Sequence, residues 1–242
     1  MFWKLISLLS LLCVIALAIV TYHERIAPVR DDSIALVAQL CVKLDSMSVQ
    51  LDMQRDEISL LQYYLTTIEL KFDMSREKGR YLVIGRHASK FWVRDGDMVI
   101  YEGKCGVGRG ASRLGRRIYD FETPAGHFKV VRKLQNPWWF RPDWFWREKG
   151  LDVPRNFISY PNGATFNQAV AFYNSLSKED KLHVRAVPGY LGKYVLQIAD
   201  GIYIHYSSQV GGAVSHGCIR VSEHDAEALY KLLDIESPVY VF

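Results

Sequence analysis

The C-terminal part of the chain holds a cysteine, two histidines and an arginine within one short stretch. These residues are His205, His216, Cys218 and Arg220. A cysteine attacks a carbonyl carbon only as the thiolate, so it needs a base beside it and backbone N–H groups directed at the oxyanion. His205 and Cys218 are the candidate base and nucleophile. The pattern indicates nucleophilic catalysis at a cysteine–histidine pair.

The two residues can meet only if the chain between them reverses its direction. The run Ile202–His205 has the composition of a strand, and Gly211-Gly212 is a turn signal. We expect this turn to fold the chain back. The cysteine segment should then lie beside the strand that carries His205.

The segment Ser215-His216-Gly217-Cys218-Ile219-Arg220, with His205 upstream, resembles the motif of the YkuD-type L,D-transpeptidases. The resemblance implies that Cys218 is the nucleophile and that His205 is the base. It also implies that the backbone carbonyl of Tyr206 orients the His205 ring. Backbone N–H groups of Gly217 and Cys218 would form the oxyanion hole.

The same resemblance implies a substrate, a stem peptide of peptidoglycan, which is cleaved between diaminopimelate and a terminal D-alanine. The candidate substrate-binding residues are Arg220, His216 and Ser215. Arg220 fits carboxylate recognition, with a structural salt bridge as the alternative. For His216 we expect a hydrogen-bonded supporting role.

Three functions fit these residues. The first is acyl transfer to an amine, for cross-linking of the wall or attachment of a protein to it. The second is hydrolysis, as in an L,D-carboxypeptidase or amidase. The third is a non-catalytic wall-binding module, against which the intact cysteine–histidine pair argues.

Three further segments resemble elements of the same family. They are Thr123-Pro124-Ala125-Gly126-His127-Phe128, Asn136-Pro137-Trp138-Trp139 and the stretch Pro188–Ile198. The implied fold class is mainly β: a YkuD-like β-sandwich catalytic domain over residues 78–242, with short helices. Residues 147–187 interrupt it as an inserted helical flap, either a cover for the active site or an inert insertion. The Trp-rich stretch 136–146 either caps the core or walls a groove.

Local patterns predict several elements of this domain. Asp95-Gly96 is a hairpin signal between two strands, and Ser222 is an N-cap with Asp225 as its partner. Thr165–Leu176 is a predicted helix, and Ser237–Phe242 is a predicted final strand. The stretch with Arg109, Arg113, Arg116 and Arg117 is predicted to be a loop, either solvated or holding an anion.

The first 25 residues are predicted to be a signal-anchor or a cleaved signal peptide. Residues 2–20 are almost entirely apolar and long enough to cross a bilayer, whereas Ala16-Leu17-Ala18 is an acceptable cleavage signal. Export places the rest of the chain in the bacterial envelope, as a periplasmic or extracytoplasmic domain anchored in the inner membrane.

Residues 31–76 form the second pattern, a long amphipathic helix that resembles a coiled coil. Apolar residues recur by threes and fours from Val37 to Phe72, interrupted at Gln54. Further apolar residues, Leu70 among them, widen this face. The helix either dimerises as a membrane-proximal stalk or packs on the following domain.

Composition bounds the remaining possibilities. With 242 residues, 49% of them hydrophobic, the chain can form one globular domain with appendages. The net charge of +4 is modest, and no lysine-rich block with interleaved aromatic residues predicts nucleic-acid binding. The four cysteines lack the spacing of metal ligands, and Cys105 is predicted to be a buried strand residue. No metal or cofactor is expected.

Overall fold

The computed structural model describes the backbone of residues 2–242 and the side chains of residues 7–25 and 32–242. Two helices occupy the N-terminal part, α1 (Phe2–Thr21) and α2 (Ala27–Met74), with a π-helical turn at Tyr22–Ile26 between them. The described residues Ser7–Arg25 and Asp32–Met74 lie in helices long and apolar enough to cross a membrane, by length and composition alone. The predicted helices are confirmed, and α2 begins slightly before the predicted residue 31.

Residues up to Tyr64 and residues Leu65–Phe242 form two separate compact units. The second unit contains the remaining strands and helices: β1 (Arg80–Gly85), β2 (Lys90–Asp95), β3 (Met98–Lys104), β4 (Val107–Gly108), β5 (Gly110–Leu114), β6 (Arg117–Phe121), β7 (Gly126–Lys129), β8 (Arg132–Gln135), β9 (Trp138–Phe140), α3 (Trp144–Glu148), α4 (Phe166–Ser175), β10 (Ala186–Pro188), β11 (Tyr194–Ala199), β12 (Ile202–Tyr206), β13 (Ala213–Ser215), β14 (Ile219–Val221), α5 (Glu223–Leu232) and β15 (Pro238–Val241).

The two largest sheets of this unit form its framework, and three two-stranded sheets complete it. One of the large sheets has the strand order β3-β2-β1-β15-β7, and the other has the order β14-β12-β11-β8. Successive side chains of a strand point to opposite faces, so every second residue can enter the core. Leu82 and Phe91 from the first sheet share one buried cluster with Leu196 and Ile204 from the second. Both sheets therefore contribute to a common core, and the predicted mainly β architecture of this unit is confirmed.

The end of helix α2 belongs to this second unit. Leu70 is 4% exposed and packs in a small cluster with Tyr81, Val83 and Tyr240. The Tyr240 hydroxyl also donates a hydrogen bond of 2.8 Å to the Glu77 carboxylate, just after the helix. The compact unit therefore includes the last part of α2, from Leu65 on, in addition to the domain predicted from residue 78.

The arginine-rich stretch is not a loop. Residues 110–121 form an antiparallel hairpin in which Leu114 pairs with Arg117. Gly115, in the two-residue turn between them, has φ +63°, a conformation that favours glycine. Arg113, Arg116 and Arg117 are exposed on this hairpin. The prediction of a loop was wrong because polar strands lack the apolar alternation that marks a strand in sequence.

The inserted segment 147–187 contains the predicted helix, α4. Thr165 caps it in a capping box with Gln168. The insertion packs on two buried side chains: the Arg141 guanidinium donates to the Val184 carbonyl at 3.0 Å, and the Trp146 indole donates to the Leu182 carbonyl at 2.8 Å. The helix after the cysteine segment, α5, begins at its predicted N-cap, since the Asp225 N–H donates to the Ser222 hydroxyl at 3.1 Å.

We predict that Leu70→Ala destabilises the second unit by about 2 kcal/mol or more, because it leaves a cavity between α2 and the sheet. Ile68→Ala is the matched control, since Ile68 lies two residues earlier on the same helix and is 65% exposed. Its effect should stay within about 0.5 kcal/mol. Urea unfolding of residues 65–242, followed by tryptophan fluorescence, measures both values. Equal effects would contradict the packing of this helix end on the sheet.

Candidate active site

The register between β12 and β14 brings the predicted site residues together. The two strands are parallel, with His205 opposite Arg220 and Ile204 opposite Ile219. Ile204 and Ile219 point into the core, where they are 1% and 0% exposed. By alternation, Tyr203 and His205 lie on the opposite face, and so do Cys218 and Arg220.

The cysteine segment does lie beside the histidine strand, but it does not return there directly from the Gly211-Gly212 turn. The chain first forms β13, which pairs with β4 in a parallel register, and only then enters β14. A parallel partner needs such a crossover, whereas a tight turn produces an antiparallel pair.

His205 is buried at 5% exposure, and its ring is fixed by its neighbour. The distance from its Nδ1 to the Tyr206 carbonyl oxygen is 2.7 Å, which is the contact that the resemblance implies. A carbonyl only accepts, so Nδ1 carries the hydrogen and Nε2 keeps its lone pair. Burial lowers the pKa of His205 to about 4; the Tyr206 carbonyl opposes this shift and the Arg220 charge adds to it. His205 is therefore a neutral imidazole at neutral pH.

Cys218 is half-buried, and its thiol donates to the Gly201 carbonyl at 3.7 Å. Burial raises the pKa of Cys218, while a backbone hydrogen bond from Tyr203 and the charge of Arg220 act in the opposite direction. The resting pair is thus a thiol and a neutral imidazole, not a thiolate and an imidazolium.

A hydrogen-bond network shapes the loop that carries Cys218. The Thr123 hydroxyl donates to the Gly217 carbonyl at 2.9 Å and accepts from the Gly108 N–H at 2.8 Å. The Ser215 hydroxyl accepts from the Gly217 N–H at 3.1 Å and donates to the Cys218 carbonyl at 2.5 Å. Gly217 has φ +109° within this network. Both ends of the loop are therefore fixed by side-chain hydroxyls.

Two residues predicted to meet the substrate are used inside this loop. Ser215 is 0% exposed, and its hydroxyl is used in hydrogen bonds that hold the loop, although the residue also lines the larger cavity. The Gly217 N–H, predicted for the oxyanion hole, donates to the Ser215 hydroxyl. The reason is the positive φ of Gly217, which turns its N–H toward the hydroxyl two residues earlier.

His216 is held by residues that its sequence context did not reveal. Its Nε2 lies 2.9 Å from a Glu148 carboxylate oxygen, and its ring stacks on Trp144 with centroids 3.9 Å apart. The other Glu148 oxygen accepts a 2.5 Å hydrogen bond from Arg109. Burial lowers the pKa of His216, with Glu148 opposing this shift. Burial acts to raise the pKa of Glu148, but Arg109 and His216 together hold it below its ordinary value.

Arg220 lies between two cavities. Its guanidinium donates to the Gln209 side-chain oxygen at 3.0 Å, and in the described part of the chain it forms no ion pair with a carboxylate. It lines both a cavity of about 500 Å³ with Cys218 and a smaller one of about 210 Å³ with Ser207 and Gln209. His205 lines both cavities as well.

Aromatic rings wall the larger cavity. They come from the Trp-rich stretch and from Tyr190, which stacks on Trp139 with centroids 4.1 Å apart. Trp146, in contrast, is fully buried in the interior. The Trp-rich stretch therefore supplies both a groove wall and a core residue. Within the inserted segment 147–187, Glu148 and Lys149 line the cavity, whereas α4 is not among its lining elements.

Metal ligands do not gather in this site. Within the residues that the structure describes, no group of three or more His, Cys, Asp and Glu side chains is placed to hold a metal ion.

The chain has two large sheets around one core, and a cysteine and a histidine face one cavity. Comparison with known protein families identifies the class to which this arrangement belongs. Residues 79–241 match the family model of the L,D-transpeptidase catalytic domain, YkuD. This match spans more than half of the chain, and the chain belongs to that family. A search of curated proteins found no match.

Solved structures of L,D-transpeptidases are similar to this chain at low sequence identity. One from Xylanimonas cellulosilytica is 17% identical over 69% of this chain and 61% of that chain, with a TM-score of 0.42. One from Mycobacterium smegmatis is 18% identical over 67% of this chain and 58% of that chain, with a TM-score of 0.40. The catalytic domain from Enterococcus faecium is 17% identical over 69% of this chain and 99% of that domain, with a TM-score of 0.41. This chain spans less than two thirds of the length of the first two.

Proposed function

We propose that this chain is a peptidoglycan L,D-transpeptidase with Cys218 as its nucleophile and His205 as its general base. The observation that carries the proposal is the 2.7 Å contact between His205 Nδ1 and the Tyr206 carbonyl oxygen. The Tyr206 carbonyl holds the hydrogen on Nδ1, so the free Nε2 lone pair belongs to a ring on the same face as Cys218. A base with this lone pair and a low pKa takes a proton from a thiol only as the sulfur attacks.

The first half of the reaction forms a thioester. The Cys218 sulfur attacks the carbonyl carbon between diaminopimelate and D-alanine, and its proton passes to His205 Nε2. The Cys218 N–H is the candidate oxyanion donor, because the Gly217 N–H is already bonded to Ser215. When the C–N bond breaks, the His205 imidazolium gives its proton to the departing amine, and D-alanine leaves.

The second half transfers the acyl group to an amine. His205 takes a proton from the acceptor amine as its nitrogen attacks the thioester carbonyl. The C–S bond breaks, the sulfur regains a proton, and a new amide forms. The second cavity, which shares His205 and Arg220 with the first, supports a separate place for this acceptor. It therefore favours transfer over hydrolysis.

Charged and aromatic groups in the larger cavity fit a stem peptide. Arg220 is free of any carboxylate partner in the described part of the chain, so its planar guanidinium is suited to a substrate carboxylate. The rings of Trp139 and Tyr190 offer apolar surface in the same cavity. The alternative of a non-catalytic wall-binding module is not supported, because such a module does not need a buried and oriented His205.

We predict that the full chain in mild detergent converts a disaccharide tetrapeptide into a cross-linked dimer, identified by mass. Cys218→Ala and His205→Ala should lose essentially all turnover with the fold retained in circular dichroism. Tripeptide as the sole product would show a hydrolase with the same site. An active Cys218→Ala variant would overturn the assignment of the nucleophile.

We predict that kcat/KM falls as the pH drops through about 4, the pKa of His205. Protonated His205 cannot accept the thiol proton, so the acidic limb of the profile should lie well below the value of about 6.5 for a free histidine. The same depressed pKa makes the fold lose stability as the pH falls from about 6.5 toward 4, because the unfolded chain then binds the extra proton. Rapid pH jumps from neutral solution separate the two effects. An acidic limb near 6.5 would contradict the neutral, buried base.

We propose that residues 2–20 anchor the chain in the inner membrane and that α2 dimerises outside it. Supporting the anchor, Ser7–Arg25 has the length and composition of a spanning helix. Supporting the dimer, the large apolar residues of α2 between Asp32 and Leu70 are exposed, Leu44 and Leu51 among them at 64% and 54%. These placements locate the catalytic unit in the bacterial envelope, next to its polymer substrate.

Removing residues 1–25 should release the chain from membranes and leave a dimer at micromolar concentration. Membrane fractionation and sedimentation equilibrium measure the two outcomes. A truncated chain that still pellets with membranes refutes the anchor at residues 2–20, and a monomer refutes the dimer.

A further inference from the structure

Two side chains outside the Ser-His-Gly-Cys segment close a ring of hydrogen bonds around it. Glu148 accepts from Arg109 at 2.5 Å with one carboxylate oxygen and contacts His216 Nε2 at 2.9 Å with the other. Arg109 returns to the segment through its backbone N–H, which donates to the Ser215 carbonyl at 3.1 Å. Ser215 and His216 are adjacent, so the ring encloses the two residues that lead into Gly217 and Cys218.

Aromatic contacts fix the remaining freedom of the His216 ring. Trp144 stacks on it at 3.9 Å with planes 14° apart, and Phe121 meets it edge-on at 4.6 Å and 81°. Glu148, which is ionised, can only accept, so Nε2 must carry a hydrogen. The ring is therefore held in its plane by Trp144 and in its rotation by Glu148.

We infer that Glu148 is a positioning residue for the nucleophile, acting through His216 and the loop that carries Cys218. The inference on turnover rests on the proposed function. Trp144 and Glu148 begin and end one short helix, α3, which lies in the wall of the larger cavity. The same helix thus forms the cavity wall and braces the cysteine loop.

The charged groups that face His216 determine in which direction its pKa should move when Glu148 is changed. They are Glu148 from α3, Arg109 from the chain before β5, and Arg220 from β14. The two arginines lower the pKa of His216 and Glu148 raises it, so the removal of the carboxylate charge must lower it further. A residue with only a bulk packing role would not produce this shift when a carboxylate is replaced by an amide of the same shape.

The experiment compares Glu148→Gln with Asp143→Asn in the full chain in detergent. Asp143 precedes the same helix and pairs with Arg185 at 2.9 Å, away from His216. We expect Glu148→Gln to lower kcat by about 10- to 100-fold with little change in KM, as misplacement of a reacting group does. Its His216 pKa, followed by NMR of labelled histidine, should fall. Asp143→Asn should change neither, and Glu148→Asp should keep the His216 pKa closer to that of the wild type.

The two readouts separate this inference from the proposed function. Unchanged kcat in Glu148→Gln, an equal loss in Asp143→Asn, or an unmoved His216 titration would each overturn the positioning role. The titration needs no substrate. An inactive wild-type chain whose His216 pKa falls in Glu148→Gln would contradict the proposed reaction and support the link between Glu148 and His216.

Discussion

The parallel pairing of β12 with β14 is the interaction on which the site depends. Its register places His205 opposite Arg220, and the strand period then puts Cys218 on the same face. A slip of one residue would turn Ile219 to the cavity and Cys218 and Arg220 into the core. The register is held because Ile204 and Ile219 are almost completely buried among residues of both sheets. The hydrophobic core thus sets the catalytic geometry.

Burial of Cys218 and His205 also has an electrostatic consequence. It raises the pKa of Cys218 and lowers that of His205, so both groups rest uncharged. A preformed pair of Cys218 thiolate and His205 imidazolium would need a more polar environment. The Tyr206 carbonyl beside His205 and the Arg220 guanidinium near Cys218 do not outweigh the effect of burial. In the proposed reaction, a thiol and a neutral imidazole react only when attack on the substrate carbonyl is coupled to proton transfer. Arg220 also lies opposite His205, where its charge disfavours the imidazolium and favours the thiolate.

The candidate site residues and many local elements could be predicted from the sequence, but the long-range contacts could not. His205, Cys218 and the Tyr206 carbonyl were identified through a short motif, and the caps at Thr165 and Ser222 are local signals. The crossover through β13 was not predicted, since pairing between distant strands leaves no local pattern. Glu148 was missed for the same reason, because α3 is only five residues long and meets His216 across the fold. Leu70 did leave a signal, as one of the residues that widened the apolar face of α2.

The loop before Cys218 shows that residues of a catalytic motif can also have structural roles. Ser215 and Gly217 belong to the matched segment, and they are hydrogen-bonded to each other. Their types follow from backbone geometry: Gly217 from its positive φ, and Ser215 from the need for a buried group that both donates and accepts. Gly108 meets a different backbone constraint, a close approach, since a Cβ there would lie 2.0 Å from the Phe121 carbonyl oxygen. The Ser-His-Gly-Cys pattern is therefore as much a requirement of loop shape as of chemistry, and the groups that tune His216 must come from outside it.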